Sequence, residues 1–316
     1  MSPIFLSGFE TTLISMLRIV FVAIFAGILV KKRFISNRDI DALSRVTIHV
    51  FLPCLILTAM ITKLDPSIIP HWWLLPLASF VMNLMGLLFG WLLFGGRLKG
   101  NRELIAMGGI QNSVYLVLPV GQTLFPQHFD LFAAICFLFV MGNSPIHWTL
   151  GLALVSQDGK MDLKKMMNLP LMATFVGVFM ALTGTGQYIP DTVMDAARLL
   201  GSATIPLATF ILGATLGEVR LANLPPVHKL IRVIGAKFVL VPLVTWAVVA
   251  SLGLYDAHPL LATLFMIQAA AAPATNLILQ ARAHGGKAEF MGGAMIVCYL
   301  ACLLAIPFWV AIATPL

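Results

Sequence analysis

The feature that most constrains this chain is a succession of apolar stretches, each long enough to cross a bilayer and separated by short polar punctuation. They lie near residues 9–30, 41–62, 70–94, 103–125, 130–155, 166–187, 192–216, 229–253, 259–284 and 288–313. At roughly 20 residues per span, ten helices consume most of the chain and leave little for an extramembrane domain. Soluble domains typically carry about 25% charged residues. Here 10% of 316 residues are charged and 59% are hydrophobic, so water cannot be the main solvent. The expectation is an all-α integral membrane protein, one embedded domain over residues 1–316. No basic region precedes the first apolar run and Arg18 interrupts it, so the N-terminus is expected to be mature sequence.

A net charge of +7 would suggest nucleic acid in a soluble protein, but here its distribution reports orientation instead. Lys31, Lys32, Arg33, Arg38 and Arg45 surround the first connection, and Arg97, Lys99 and Arg102 the third. Lys160, Lys164 and Lys165 mark the fifth, Arg220, Lys229, Arg232 and Lys237 the seventh, and Arg282 and Lys287 the ninth. Even connections are nearly free of Lys and Arg, with Lys63 the exception. The positive-inside rule then predicts a multi-pass protein of the inner (cytoplasmic) membrane with odd loops cytoplasmic and both termini outside. Cys54, Cys136, Cys298 and Cys302 all sit in apolar runs without zinc-type spacing and read as packing residues, with no metal site.

The polar stretch Gln157–Asp162 falls near the midpoint, dividing the chain into halves 1–158 and 159–316 of five spans each. An odd number per half inverts one relative to the other, an arrangement frequent in secondary transporters. Asp41-Ala42 precedes Pro53 in the second span much as Asp195-Ala196 precedes Pro206 in the seventh, so matching proline kinks are expected. The fourth span contains Gly108, Gly109, Gln111, Asn112, Ser113, Tyr115 and Pro119, and its counterpart, the ninth, contains Gln268, Pro273, Thr275 and Asn276. Both are poor continuous helices and are expected to be broken.

Breaking a helix frees amides at the start of its second half, which favour an anion, and carbonyls at the end of its first half, which hold a cation. Such groups are tolerated at membrane depth only around a protein-enclosed cavity. Asn112 and Asn276 can each satisfy a freed terminus and still present an amide to substrate; the bland reading, that they only cap packed helices, stays open. Gln111, Tyr115, Gln268 and Thr275 are further candidate contacts. Ionisable residues inside spans are functional hypotheses by default. Arg18, His147 beside Asn143, and Lys237 are such candidates for coupling or charge roles, with Arg198 at a span edge; snorkelling of the cations and plain packing of His147 are the alternatives. No carboxylate falls at mid-span, and no nucleotide-binding, zinc-protease or serine-hydrolase motif has its required surroundings, so an enzyme is not expected.

Phe51-Leu52-Pro53, the run Gln111 to Pro119 followed by Gly121, Gly142-Asn143, Trp148 to Gly151 and Ala272 to Asn276 together resemble the auxin efflux carrier family of bacterial and plant permeases, which includes malonate and malate permeases and the plant PIN carriers. Gln111 and Ser113 depart from the family's usual residues around Asn112. The resemblance implies a ten-helix fold of two inverted five-helix repeats with spans 4 and 9 broken and crossed, as in sodium/bile-acid symporters and sodium/proton antiporters. It implies a scaffold, residues 9–62 and 164–218, that mediates a homodimer, and a transport unit, 70–156 and 228–313, that moves elevator-fashion. It implies small organic anions as substrates, malate-like or malonate-like carboxylates bound at the crossing. No bound cofactor or nucleic-acid partner is expected, and proton and sodium coupling both remain open. The alternatives are a sodium-coupled symporter of a larger amphipathic acid and a non-transporting membrane sensor or embedded enzyme.

Overall fold

The computed structural model describes residues 3–69, 71–219 and 224–313; Arg220, counted above with the seventh connection, lies outside them. Among the described residues the structure is helical without a β-strand. In chain order the helices are α1 (Pro3–Lys31), α2 (Asn37–Lys63), α3 (Leu74–Leu93), α4 (Arg102–Gly109), α5 (Val117–Leu124), α6 (Phe129–Met141) and α7 (residues 143–155). Then come α8 (Leu169–Thr183), α9 (Asp191–Gly217), α10 (Val227–Ser251), α11 (Pro259–Ala270), α12 (Asn276–Ala283) and α13 (Ala288–Ala313).

Six of these, α1, α2, α3, α9, α10 and α13, are long and apolar enough to cross a membrane, and α5 with the following segment to Met141, bent by 114°, would make a seventh. The other apolar stretches fall on short or interrupted helices: 103–125 on α4 and α5, 259–284 on α11 and α12, and 166–187 on the 15-residue α8. The multi-pass character is therefore plain.

Local chemistry sets several ends. Ser36 and Asp39 form a reciprocal capping box that starts α2. Asn168 accepts from the Leu171 amide to start α8, which stops at Gly184 with φ 68°, a left-handed conformation cheap only for glycine. Pro53 and Pro206 each lie inside a span, α2 and α9, beside a local irregularity of the helix. Each begins a fresh helical turn after an irregularity, a wide turn over Thr47–Phe51 in α2 and a break at Ala203 in α9.

Large apolar side chains point outward along α1 (Phe21, Ile24, Phe25), α3 (Leu77, Val81, Leu88) and α8 (Phe175, Phe179), whereas α6 is buried almost all round from Phe132 to Phe139. An exposed apolar belt around a buried helical centre is the arrangement that lipid, not water, permits. Helices meet through small residues. On α9, Gly213 and Gly217 press against Ala23 and Gly27 of α1, and a side chain built on Gly213 would begin 2.2 Å from the Ala23 Cα. On α3, Gly86 and Gly90 admit the end of α4 in the same way.

The connections expected on one side of the membrane touch one another. Arg102 donates to the carbonyls of Ala153 and Ser156, Lys229 donates to the Gly100 carbonyl at 3.1 Å, and the Gln157 amide donates to the His284 carbonyl at 3.0 Å. Arg282 pairs with Glu218 at 3.3 Å and Lys287 with Glu103 at 3.9 Å. The third, fifth, seventh and ninth connections thus form one polar face.

Candidate functional site

Two helices stop inside the protein and resume after a short extended stretch. α4 ends at Gly108-Gly109, the backbone turns extended at Ile110, and α5 begins at Val117 with Pro119 in its first turn. α11 ends at Ala270, Ala271 is extended, and Pro273 blocks continuation until α12 begins at Asn276. Glycine is a poor helix former, and proline biases the residue before it toward extended backbone, so both interruptions follow from local sequence. Gly109 has a second reason for being small: a side chain there would begin 2.4 Å from Leu87 of α3.

The two extended stretches lie side by side and antiparallel. The Asn112 amide donates to the Ala272 carbonyl at 2.8 Å and the Ala274 amide to the Ile110 carbonyl at 2.9 Å, with Gln111 opposite Pro273. Main-chain groups that neither helix can satisfy are satisfied by the other. Side chains complete the joint. Asn112 Nδ2 donates to Tyr299 Oη at 2.8 Å, and Tyr299 Oη donates to the Pro273 carbonyl at 3.3 Å. Asn112 Oδ1 accepts from the Tyr115 amide at 3.0 Å, and Gln268 Nε2 donates to the Ser113 carbonyl at 3.0 Å. Asn143 Nδ2 donates to Ser113 Oγ at 3.2 Å, which ties α7 to the same point.

Beside the joint is a cavity of about 220 Å³. Its polar lining is Gln111 to Ser113, Tyr115, Asn143, Ser144, His147, Asn168, Thr174, Thr275 and Asn276, with Asn168 Nδ2 donating to Ser144 Oγ at 3.1 Å; Ile48, Leu52 and Ile56 of α2, with Phe137 and Trp148, supply apolar lining. Among the described residues no lysine, arginine or carboxylate lines it. Several lining polar atoms, Gln111 Oε1, Asn143 Oδ1 and His147 Nε2, are buried and have no protein partner. Groups of this kind are the means by which a site recognises a polar ligand.

The structure places the sequence-selected residues unevenly. Asn112, Asn276, Gln111, Tyr115, Thr275, Asn143 and His147 surround the cavity, whereas Gln268 is fully buried behind it as a brace. Arg18 is exposed on α1 and Lys237 is buried in α10, and neither reaches the cavity. Asn168, Ser144 and Tyr299 were not selected from sequence. Asn168 carried only the signature of a helix cap ahead of Pro170, and Tyr299 joins Asn112 across 187 residues of sequence.

Residues 11–161 and 154–310 match the sequence profile of the family described as membrane transport protein. The chain belongs to that family. Two members of similar sequence are the PIN-LIKES 5 and PIN-LIKES 7 proteins of Arabidopsis thaliana, 28% and 29% identical over 120 residues. Those matches cover 37% of this chain and 30% of each plant protein, so the similarity spans under a third of the relatives' length. Together they make this family member an auxin efflux carrier-like membrane transporter, in agreement with the resemblance carried by its motifs.

Proposed function

We propose that this transporter is a secondary carrier of small organic anions, malate-like or malonate-like carboxylates, bound in the cavity beside the paired helix breaks. The observation that carries the reading is the character of that cavity: uncharged amides and hydroxyls, no carboxylate, and the start of α12 at Asn276 on its wall. An anion meets no like charge there, and a helix start offers it partial positive charge. The reading includes ten spans in two inverted halves, 1–158 and 159–316, with both termini outside in the inner membrane. The single polar face formed by odd-numbered connections supports that topology.

Transport then proceeds by elevator-type alternating access. A scaffold, residues 9–62 and 164–218, stays fixed as the homodimer contact while the unit of 70–156 and 228–313 carries substrate past it. That division is supported by the cavity's lining, which draws on α2 and the α8 region as well as on the crossing. The hydrogen bonds that join the two breaks run within the moving unit, whereas Ser144 on the cavity wall donates to the Met166 carbonyl at 2.9 Å and accepts from Asn168 Nδ2 at 3.1 Å, two bonds to the scaffold that each transit has to break.

The test is uptake of labelled malonate or malate into proteoliposomes. Asn276→Ala, whose side chain is exposed to the cavity, should lower uptake about tenfold or more, the scale of a lost hydrogen bond to a charged group, with reconstituted protein unchanged. Asn112→Ala should lower uptake as well, and because it also loosens the joint between the breaks its rate is normalised to the folded protein recovered. Wild-type rates in both variants would remove the site assignment.

A further inference from the structure

Among the described residues that line the cavity, His147 is the side chain that gains or loses a proton near neutral pH; the other ionisable group there, Tyr115, is a phenol. His147 is only 7% exposed, and its Nε2 is buried with no protein partner. It opens the wide turn His147–Gly151 of α7, one turn after Asn143 and so on the same helix face. Two amides of the lining commit their nitrogens elsewhere: Asn143 Nδ2 donates to Ser113 Oγ at 3.2 Å, and Gln111 Nε2 to Met82 Sδ at 3.8 Å. Their oxygens, Asn143 Oδ1 and Gln111 Oε1, are buried acceptors without a donor. This part of the lining is short of donors, and no fixed cation makes up for them.

The charges on elements packed against α7 are paired, exposed or spent on backbone. The segment Leu163–Met166 carries Lys164, which is exposed, and Lys165, which pairs with Asp162 at 3.2 Å and lies 5.5 Å from the Trp148 ring. That ring meets the imidazole edge-on at 5.5 Å. From α4 come Arg102, donating to the Ala153 and Ser156 carbonyls, and Glu103, paired with Lys287; from α12 comes Arg282, paired with Glu218. On α6, Asp130 is exposed and the Cys136 thiol donates to the Ser113 carbonyl at 3.3 Å, while α3 and α8 carry no charged residue. The charged residues and His49 of α2 are exposed, and its Cys54 is half-buried. None of the ion pairs among the described residues includes His147.

An anion entering this cavity meets unpaired acceptors and no counter-charge, a costly combination away from bulk water. One proton removes both difficulties, because an imidazolium donates from both ring nitrogens and carries the missing charge. Anion and proton then strengthen each other's binding by the same factor. We propose that His147 takes a proton from solution when the carrier binds its anion, which makes the carrier a proton–anion symporter. The proton passes from water to an imidazole nitrogen and returns to water on release, and no other bond changes. The inference rests on the carboxylate reading above and adds the coupling ion to it. A bare anion carries its full charge past the apolar Ile48, Leu52 and Ile56 of α2, and a protonated His147 travelling with it offsets part of that charge.

The experiment is calorimetric titration of purified full-length protein with malonate at about pH 7, in buffers of different ionisation heat, which counts the protons taken up on binding. Wild type should take up about one proton more per malonate than His147→Gln, which keeps a hydrogen-bond donor and cannot titrate. The wild-type Kd should also rise with pH more steeply than the variant's, by up to about tenfold per pH unit. Equal proton counts in the two proteins would overturn the proposal, since any proton then rides on malonate itself. If the Gln variant does not fold or bind, wild type in proteoliposomes decides: with the membrane potential clamped, an acid-outside gradient should speed malonate uptake several-fold and an uncoupler should abolish the gain, and uptake indifferent to the gradient overturns the proposal. Malonate bound without the extra proton overturns this inference alone, whereas a wild type that binds no malonate overturns the carboxylate reading and the inference with it.

Discussion

Removing one oxygen atom, Tyr299→Phe, tests the joint at the centre of the molecule. That hydroxyl accepts from Asn112 Nδ2 at 2.8 Å and donates to the Pro273 carbonyl at 3.3 Å, so it links the first break directly to the second. Without it, a side-chain N–H on a residue only 7% exposed loses its partner. Orphaning a buried donor costs roughly 1–3 kcal/mol, whereas the longer bond to Pro273, being weak, adds little. Because Asn112 borders the cavity, water can reach part of it, and the expected loss is about 1.5–2 kcal/mol.

Asn112→Ala removes the same bond together with the cap on the Tyr115 amide, worth about another 1 kcal/mol. The double variant should then lose about 1.5–2 kcal/mol less than the sum of the two single losses, because the shared bond is counted twice. The assay is equilibrium unfolding in mixed micelles followed by tryptophan fluorescence, with all four proteins of the cycle measured together. Additivity within about 0.5 kcal/mol would refute the linkage, and with it the account of how the two breaks are held together.

Two further outcomes follow from packing and capping. Gly213→Ala should destabilise by about 1–3 kcal/mol, since its new carbon falls on the Ala23 backbone, while Gly27→Ala, 3.4 Å from its nearest neighbour, should be neutral or gain up to about 1 kcal/mol from helix propensity; melting temperatures of the two variants rank them. Arg102→Ala should loosen the end of α7, whose Ala153 and Ser156 carbonyls it caps, read as faster amide hydrogen exchange at residues 152–157 with α1 unaffected.

Much of this architecture is legible one residue at a time. The membrane setting follows from stretches of apolar residues, because the bilayer leaves a chain no other way to pair its backbone than within itself. The interruptions after Gly108-Gly109 and before Pro273 follow too, since helix propensity and the missing proline amide act within a turn of the residue that causes them. So does the choice of Asn112, an amide placed at a break. Other features are only half legible: the wide turns at Thr47–Phe51 and Gly235–Leu240 each end just before a proline, Pro53 and Pro242, and that at His147–Gly151 follows Pro145, so proline marks the place of the irregularity without fixing its form.

What the sequence determined by itself, then, is where this chain meets lipid and where its helices cannot continue, both of which are local or compositional matters. What the tertiary structure alone decided is which broken ends face each other and what meets them: the pairing of Gln111 with Pro273, the hydroxyl of Tyr299 on Asn112, Asn168 in the cavity's lining, and Lys237 buried while Arg18 is exposed. Those are contacts between residues far apart in the chain, chosen by shape and by the cost of leaving a dipole or a charge unpaired in an oily interior, and that cost exists only once the helices are packed.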